Sequence, residues 1–338
     1  MGEGEAGCGP IGSSRVRAAL NRGVTLSLVA AMLSGTALAP ATAQVFDIGG
    51  GTLSVTNFAG PPLNSPTVVT NGTLRANIAA ADSFGGVFND SLGVLALRKE
   101  GVGVLTLSGL NTHSGTTTVS NGRLVVGANG GLSVNSLLSV SGPVGTPAIV
   151  DLNGFEGGAA GLNGSTRAIV TSTTGPGTLL IVSGLNHTYS GALQGQLNIV
   201  KSGAGTQTFT NADPALAATT MTGTVRLLNG GIAVGSTNAL GSGNIIVDGN
   251  GTLSVAGIAT VGLDNDVVLN ANLATLAGNG RVLTLNGDIS GTGGLTKTGI
   301  GTLRLNGTNS YGGDTLITSA GRLEVGSNNA LGTGVLST

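Results

Sequence analysis

The sequence predicts an all-β solenoid, a parallel β-helix in which similar strands stack along one axis. Three observations predict it: a long stretch recurs near the C-terminus, apolar residues alternate with polar residues inside each copy, and Asn-Gly pairs punctuate the chain. Repeats on this scale are typical of stacked units that bury a shared core. No apolar stripe with helical spacing follows residue 43, so the prediction contains almost no helix.

The first predicted element is a secretory signal peptide, residues 1–43. Three arginines between residues 15 and 22 precede an apolar run at 24–33, and small residues follow up to Ala43. We place cleavage after Ala43, because cleavage after Ala39 would leave a proline next to the broken bond. The apolar run is shorter than the roughly 20 residues that span a membrane, so an uncleaved anchor is disfavoured.

The second predicted element is a β-helical repeat region, residues 44–338. Its clear copies are residues 97–127 and 295–332, and worn copies lie between them. In 302–305 two leucines alternate with Thr and Arg, a period of two that is typical of a half-buried strand. Leu303 and Leu305 are therefore predicted to point inward and Arg304 outward. Coils of roughly 20–25 residues follow from the repeat spacing.

The strands are separated by Asn-Gly pairs, which we interpret as sharp corners. Glycine adopts positive φ without steric cost, and Asn tolerates it better than most residues. Taken alone, such a pair would also suit a two-residue hairpin with antiparallel strands. The recurrence of identical strands favours parallel stacking instead. Pairs of this kind begin, for example, at Asn71, Asn121, Asn153, Asn229, Asn250 and Asn306.

Composition narrows the function classes. The net charge is −1 and 9% of residues are charged, which predicts no nucleic-acid partner and no steering of charged ligands. Only eight residues are aromatic, and the single cysteine, Cys8, precedes the apolar run. The predicted mature chain is therefore free of disulfides, and coil stacking must hold it together.

The repeated pattern resembles a known family. Each copy reads Gly-x-Gly-x-Leu-x-Leu-x-Gly-x-Asn, then Ser or Thr, then Tyr or His, and later Gly-Arg-Leu-x-Val-Gly. This pattern is similar to the autotransporter-associated β-strand repeat of bacterial autotransporter passenger domains. The resemblance implies a right-handed β-helix that is exported through the periplasm to the cell surface or the medium. It also implies an outer-membrane translocator barrel as partner. The alternating strands and aromatic girdles of such a barrel are not seen here, so we expect the barrel to be separate or to belong to a longer protein.

We therefore predict a surface-exposed or secreted, non-enzymatic passenger segment with a stalk or adhesin role. Host or cell-surface glycans or proteins are the expected ligands. The alternative is a secreted β-helical polysaccharide lyase or hydrolase. An exposed cluster of carboxylates with Arg or Lys on neighbouring coils would favour the enzyme, and an even Thr, Ser and Asn surface would favour the stalk. A third reading, an effector carried on the stalk, lacks a visible inserted subdomain.

The histidines and the repeated lysines have simpler structural explanations than functional ones. His113 falls where the last copy has Tyr311, which indicates a structural position, and His187 is the other histidine. Lys99, Lys201 and Lys297 recur before Gly-x-Gly. They could form a binding row, but a corner residue whose stem lies over the rim explains them more simply.

Asp264-Asn265-Asp266 is the densest carboxylate pair, with Asp248 and Asp288 nearby and Arg281 too distant in sequence to place. Paired acids need a partner of shifted pKa or a cation to act as catalysts, and turn-forming Asp beside Asn explains the triplet without chemistry. No calcium nonapeptide, zinc motif, nucleophile elbow or phosphate loop occurs in context. We predict no catalytic residue, no cofactor and no metal.

Overall fold

The computed structural model describes residues 15–17, 26–27, 44–47, 52–55, 66–69, 72–90, 93–212, 216 and 220–338. These residues form short strands and corners without any helix. Strands β1 and β2 fall inside the predicted signal peptide, whose cleavage site at Ala43 lies outside the described residues.

The strands of the first half are β1 (Arg15–Arg17), β2 (Leu26–Ser27), β3 (Gln44–Asp47), β4 (Thr52–Val55), β5 (Pro66–Val69), β6 (Gly72–Asn77), β7 (Asp82–Phe84), β8 (Val87–Asn89), β9 (Leu95–Glu100), β10 (Val104–Leu107), β11 (Thr117–Val119), β12 (Arg123–Val126), β13 (Leu137–Val140), β14 (Ala148–Asp151), β15 (Glu156–Ala159), β16 (Gly161–Gly164) and β17 (Ala168–Ile181). Those of the second half are β18 (His187–Tyr189), β19 (Ala192–Lys201), β20 (Thr206–Phe209), β21 (Val225–Leu227), β22 (Gly230–Val234), β23 (Ile245–Val247), β24 (Gly251–Val255), β25 (Thr260–Leu263), β26 (Val267–Leu269), β27 (Leu273–Leu276), β28 (Val282–Leu285), β29 (Ile289–Gly291), β30 (Leu295–Thr298), β31 (Thr302–Leu305), β32 (Thr315–Ile317), β33 (Arg322–Val325) and β34 (Leu336–Ser337).

The strands stack into long parallel sheets. One sheet of 15 strands, in the order β2-β4-β6-β9-β11-β13-β16-β18-β20-β22-β24-β27-β30-β32-β34, runs the whole length. A second sheet of 11 strands covers β7 to β29, and four-stranded sheets complete the two ends as β1-β3-β5-β8 and β25-β28-β31-β33. The predicted parallel β-solenoid is confirmed, and the hairpin alternative for Asn-Gly is wrong for the described strands. The right hand of the helix stays a prediction.

Coil length is read from the register between stacked strands. Leu97 lies opposite Thr117 in the next coil, whereas Thr206 lies opposite Gly231, which is a longer step along the chain. Both steps fall within the range of roughly 20–25 residues per coil that repeats of this kind predict. Because coil length varies, the positions that stack on one another cannot be read from a fixed period.

The core is a single column of mainly aliphatic side chains inside the coils. Leu303 and Leu305 are fully buried, as are Leu283 and Leu285 one coil earlier, whereas Arg304 between them is exposed. The predicted inward and outward alternation is confirmed. Burying one leucine contributes on the order of 2 kcal/mol, so the stability of the rod comes from many small equal contributions along its axis.

Several Asn-Gly pairs form the predicted corners. Gly122, Gly154 and Gly230 have φ of 64°, 85° and 75°. Gly251 and Gly307 do not adopt positive φ, so those two pairs are not left-handed corners. In a ladder of stacked coils, an Asn-Gly pair therefore marks the start or the end of a strand more reliably than it marks a left-handed turn.

Candidate functional site

From β11 to β34, the outer side of the 15-stranded sheet carries uncharged and mostly small residues. Register places successive side chains directly over one another, about 4.8 Å apart. One column consists of Thr118, Ser139, Asn163, Thr188, Thr208, Ala233, Ser254, Leu276 and Thr298. A parallel column consists of Thr206, Gly231, Thr252, Ala274, Thr296, Leu316 and Ser337.

We call these two columns on β11 to β34 the uncharged face. Eleven strands contribute to it, which gives a length of about 50 Å. The basic residues in these strands are His187 and Lys297, and Lys297 is fully buried on the inner side. The same strands contain no Asp, Glu or Arg. The face therefore offers hydroxyls, amides and small apolar groups but no net charge.

Charged residues lie elsewhere, mostly as ion pairs between neighbouring coils. Arg123 contacts Asp151, and Arg226 contacts Asp248, both at the 11-stranded sheet. Burial acts to raise the pKa of Asp151, but hydrogen bonds from Arg123 and Thr173 outweigh it and hold that pKa below its ordinary value. At Asp248, hydrogen bonds from Asn270 and Arg226 lower the pKa. Such carboxylates are stable anions and are poor proton donors at neutral pH.

Two further clusters each join one glutamate to two arginines. Glu100 contacts Arg75 at 2.5 Å and also Arg98, at the N-terminal end of the 15-stranded sheet. Glu324 contacts Arg304 at 2.5 Å and Arg322 at 3.0 Å, and a shallow groove surrounds this second cluster. Each glutamate is single and fully paired, so neither cluster provides the two carboxylates of a glycoside hydrolase.

The Asp264-Asn265-Asp266 triplet is part of a ladder between coils. Asp264 accepts a hydrogen bond of 2.7 Å from the side chain of Asn286, and Asp266 accepts one of 2.9 Å from the backbone of Asp288. Buried Asn265 donates to the carbonyls of Gly241 and Gly243 at 3.1 and 2.6 Å. Each side chain of the triplet therefore has a partner in a neighbouring coil. Arg281 donates to the carbonyl of Val255 and forms no bond with the triplet.

The three repeated lysines are buried inside the rod. The predicted placement of their stems over the rim is wrong, and so is the binding row, because all three side chains have 0% exposure. The Lys99 ammonium donates to the carbonyls of Glu100, Gly101 and Asn121 at 2.8, 2.9 and 3.2 Å. The Lys297 ammonium donates to Thr298 and Gly299 at 2.8 and 2.6 Å.

Each lysine therefore closes the corner that follows it. At the corner, the glycine with positive φ directs backbone carbonyls away from the hydrogen bonds of the sheet. Buried carbonyls need donors, and the lysine ammonium supplies them. Burial lowers the pKa of Lys99 to about 8, although Glu100 acts in the opposite direction, and burial lowers that of Lys201 to about 8 as well. Burial also lowers the pKa of Lys297.

His113 and Tyr311 occupy equivalent buried positions, as the repeat alignment predicts. His113 Nε2 lies 2.8 Å from Thr117 Oγ1, and Tyr311 Oη lies 2.7 Å from Thr315 Oγ1. The second ring nitrogen of His113, Nδ1, is buried without a partner. Burial lowers the pKa of His113 to about 4, against the opposing effect of Asp90. His187 is half-buried beside Gly161, and burial lowers its pKa as well.

Two buried asparagines were not singled out from the sequence. The Asn111 side chain accepts a hydrogen bond of 2.8 Å from the Phe88 N–H and donates one of 2.7 Å to the Gly131 carbonyl. It therefore links the preceding coil to the following coil. Asn309 bonds Ile289 and Ala330 in the same way. The signal was present, because the same Asn stands in both copies of the repeat.

Among the described residues, no group of three or more His, Cys, Asp or Glu side chains is placed to hold a metal ion. No helix there has the length and apolar character to cross a membrane.

Comparison with known proteins agrees with this geometry. The family described as passenger-associated-transport-repeat matches residues 97–126 and 295–325. The chain is also 35% identical over 242 residues to the adhesin BmaC autotransporter of Brucella suis biovar 1 (strain 1330). These findings identify autotransporter passenger sequence. The aligned part is 68% of this chain and 7% of that relative, so this passenger region spans a small part of the relative's length. No solved structure matches it.

The relationship supports a surface or secreted location for this passenger region. In both matched stretches the buried lysine, the buried asparagine and the His or Tyr bonded to Thr recur. The family resemblance thus corresponds to a physical unit, one corner plus one set of contacts between coils.

Proposed function

We propose that this chain is a stalk and adhesive segment of an autotransporter, and that the uncharged face is its contact surface. The observation that carries the proposal is the segregation of charge: ion pairs lie on other faces or at the N-terminal end, while about 50 Å of the 15-stranded sheet stays neutral and hydroxyl-rich. The adhesin relationship supports it.

The partners are proposed in the same terms. A neutral face binds by shape and hydrogen bonds, which suits cell-surface glycans or proteins of low charge. We further propose residues 1–43 as the signal peptide and residues 44–338 as the repeat region. A translocator barrel, either a separate protein or part of a longer one, would export the rod from the periplasm.

Adhesion of the full chain to host-cell monolayers tests the proposal. Thr208→Glu and Ser254→Glu add charge to the uncharged face, and Ser290→Glu adds the same charge to the 11-stranded sheet as a matched control. We expect the first two to reduce attachment about tenfold and the control to retain it. Wild-type attachment should change little between about 0.15 M and about 1 M salt. Equal losses in all three variants, or attachment abolished by salt, would contradict the proposal.

We also propose that the region is non-enzymatic. The carboxylates of Asp151 and Asp248 are each paired with an arginine and have a lowered pKa, which is the reverse of what a general acid requires. Incubation with acidic and neutral polysaccharides should yield neither unsaturated products nor new reducing ends. If the wild-type chain released either product, and Asp151→Asn or Asp248→Asn abolished that release, the result would favour the enzyme.

A further inference from the structure

Two Asn-Gly corners stack directly on the buried-lysine corners of the preceding coil. Gly122 lies over the corner that follows Lys99, and a Cβ there would come within 2.5 Å of the Gly103 carbonyl oxygen. Gly230 lies in the same way over the corner that follows Lys201. Positive φ and this close approach both require glycine after each of the two asparagines. Because glycine has no side chain, its backbone nitrogen is the one most accessible to the asparagine side chain.

The asparagine side chains at these corners turn back toward their own glycines. The Gly122 N–H donates to Asn121 Oδ1 at 2.8 Å, and the Gly230 N–H donates to Asn229 Oδ1 at 2.7 Å. The side-chain carbonyl group therefore lies next to the backbone nitrogen of the following residue. This is the pair of groups that must meet for an asparagine to cyclise.

At three other Asn-Gly pairs the neighbouring coil holds the side chain away. Asn163 Oδ1 accepts a bond of 3.2 Å from the backbone of Thr188. Asn286 donates to Asp264 at 2.7 Å, and Asn306 donates to Asn286 at 2.8 Å. These three side chains would have to break a bond between coils before they could cyclise.

We propose that Asn121 and Asn229 are sites of self-modification, at which the chain converts asparagine to aspartate and isoaspartate. The Gly122 or Gly230 nitrogen loses its proton to solvent base and forms a bond to the asparagine Cγ. The bond from Cγ to the side-chain nitrogen breaks, and ammonia leaves with a proton from solvent to give a succinimide. Water then opens the ring at either carbonyl, so the net change is uptake of one water and loss of one ammonia.

The lysine corner distinguishes the two sites. The Lys99 ammonium lies 3.2 Å from the backbone carbonyl oxygen of Asn121. The deprotonated Gly122 nitrogen shares its negative charge with this oxygen, so the ammonium stabilises the attacking form. The Lys201 ammonium donates to Ser202 and Gly203 instead. Asn121 is therefore the faster of the two sites.

The last repeat provides a natural control. Ala320-Gly321 stacks over the Lys297 corner in the place that Asn121-Gly122 takes over the Lys99 corner. Alanine has no side-chain amide, so this corner cannot react.

The modification changes both charge and backbone. Two conversions take the net charge from −1 to −3, since each replaces a neutral amide by a carboxylate. Isoaspartate also inserts a methylene into the main chain at a corner where stacking is tight. An aged rod would therefore carry acidic corners on a chain that began almost neutral.

Peptide mapping tests the proposal on the full chain held folded near neutral pH, where the Lys99 ammonium keeps its proton. We expect Asn121 and Asn229 to convert about tenfold faster than Asn163, Asn286 and Asn306, with both aspartate and isoaspartate among the products. In denaturant the five rates should converge, because all are Asn-Gly. Equal rates in the folded chain, or faster conversion at the three held sites, would overturn the proposal.

Variants then test the lysine. Lys99→Met should slow Asn121 several-fold and leave Asn229 unchanged. If that variant does not fold, Asn121→Ala, which copies the Ala320 corner, should remove the faster of these two phases of conversion while Asn229 keeps its rate. An unchanged fast phase in Asn121→Ala would show that the site lies elsewhere.

Discussion

The first and last repeats hold the same buried contacts at the same place in the coil, because Lys99 on β9 and Lys297 on β30 both lie in the 15-stranded sheet. Strand β10 of the first repeat belongs to the 11-stranded sheet, whereas the equivalent β31 belongs to the four-stranded C-terminal sheet. The contacts are nevertheless equivalent, pair by pair, at Lys99 and Lys297, Asn111 and Asn309, and His113 and Tyr311. The repeat thus specifies a corner and its interior, whereas the strand after the corner joins whichever sheet the neighbouring coils provide.

The two copies differ at two interior details. His113 leaves one buried nitrogen without a partner, whereas Tyr311 uses its single hydroxyl completely. The Lys99 ammonium has three carbonyl partners and the Lys297 ammonium has two. The first copy should therefore respond more strongly to pH than the last.

The largest expected effect comes from charging the shared core. Leu107→Asp and Leu305→Asp, at equivalent buried positions, should each lower the free energy of unfolding by roughly 4 kcal/mol or more, since an unpaired carboxylate in an apolar core is costly. Thr106→Asp, on the outer side of β10, is the control and should change it little. Urea unfolding measures all three. Equal effects inside and outside would contradict the strand assignment.

The next largest effect is a loss of stability at acidic pH that we expect in the first copy, which has His113, and not in the last, which has Tyr311. Unfolded His113 binds a proton near its ordinary pKa of 6.5, whereas in the fold its pKa is lowered to about 4 by burial. The unfolded state therefore binds more protons between these values, and stability falls as the pH drops from about 6.5 to about 4, by about 3 kcal/mol in total.

A reciprocal exchange makes this test specific. His113→Tyr should remove that loss, and Tyr311→His should introduce a similar one in the last copy. Urea unfolding at both ends of the pH window gives the comparison. Asp90, which faces His113, remains in both versions of the first copy and keeps its hydrogen bonds from Ser114, so the difference reports mainly the imidazole. Identical pH profiles for wild type and His113→Tyr would reject the assignment.

A smaller effect is expected at alkaline pH. The pKa of Lys99 is about 8 in the fold against an ordinary value of 10.5, so the unfolded state binds more protons between these values. Stability should therefore rise with pH in this window, by about 1 kcal/mol per pH unit for each such lysine. Lys99→Met should flatten the rise seen in guanidinium titrations, and Lys297→Met should flatten it too. A slope unchanged by either substitution would argue against buried ammonium groups.

The smallest effects are expected at the exposed ion pairs. Arg75→Gln and Arg304→Gln each remove one arginine from a glutamate that keeps another. Exposed pairs contribute only about 0–1 kcal/mol and are screened by salt. Thermal unfolding should shift slightly at low salt and hardly at all at high salt. A large, salt-independent loss in either variant would mean that these clusters hold the coils together.

Much of the fold followed from the sequence alone. Alternation in 302–305 predicted which leucines are buried, and repetition predicted parallel stacking, because identical strands can share one core only when they lie in register. The equivalence of His113 and Tyr311 followed from the alignment of the copies. These features depend on residues close together in the chain or on simple recurrence.

Other features were decided only by the tertiary structure. The burial of Lys99, the neutrality of the long sheet's outer side from β11 to β34, and the sheet that the strand after each lysine corner joins depend on which residues stack one coil away. That spacing is not constant, since the step from Thr206 to Gly231 is longer than the step from Leu97 to Thr117. Sequence periodicity therefore determines the strands and their inner side, whereas the accumulated differences in coil length decide which side chains meet across coils and where charge gathers on the surface.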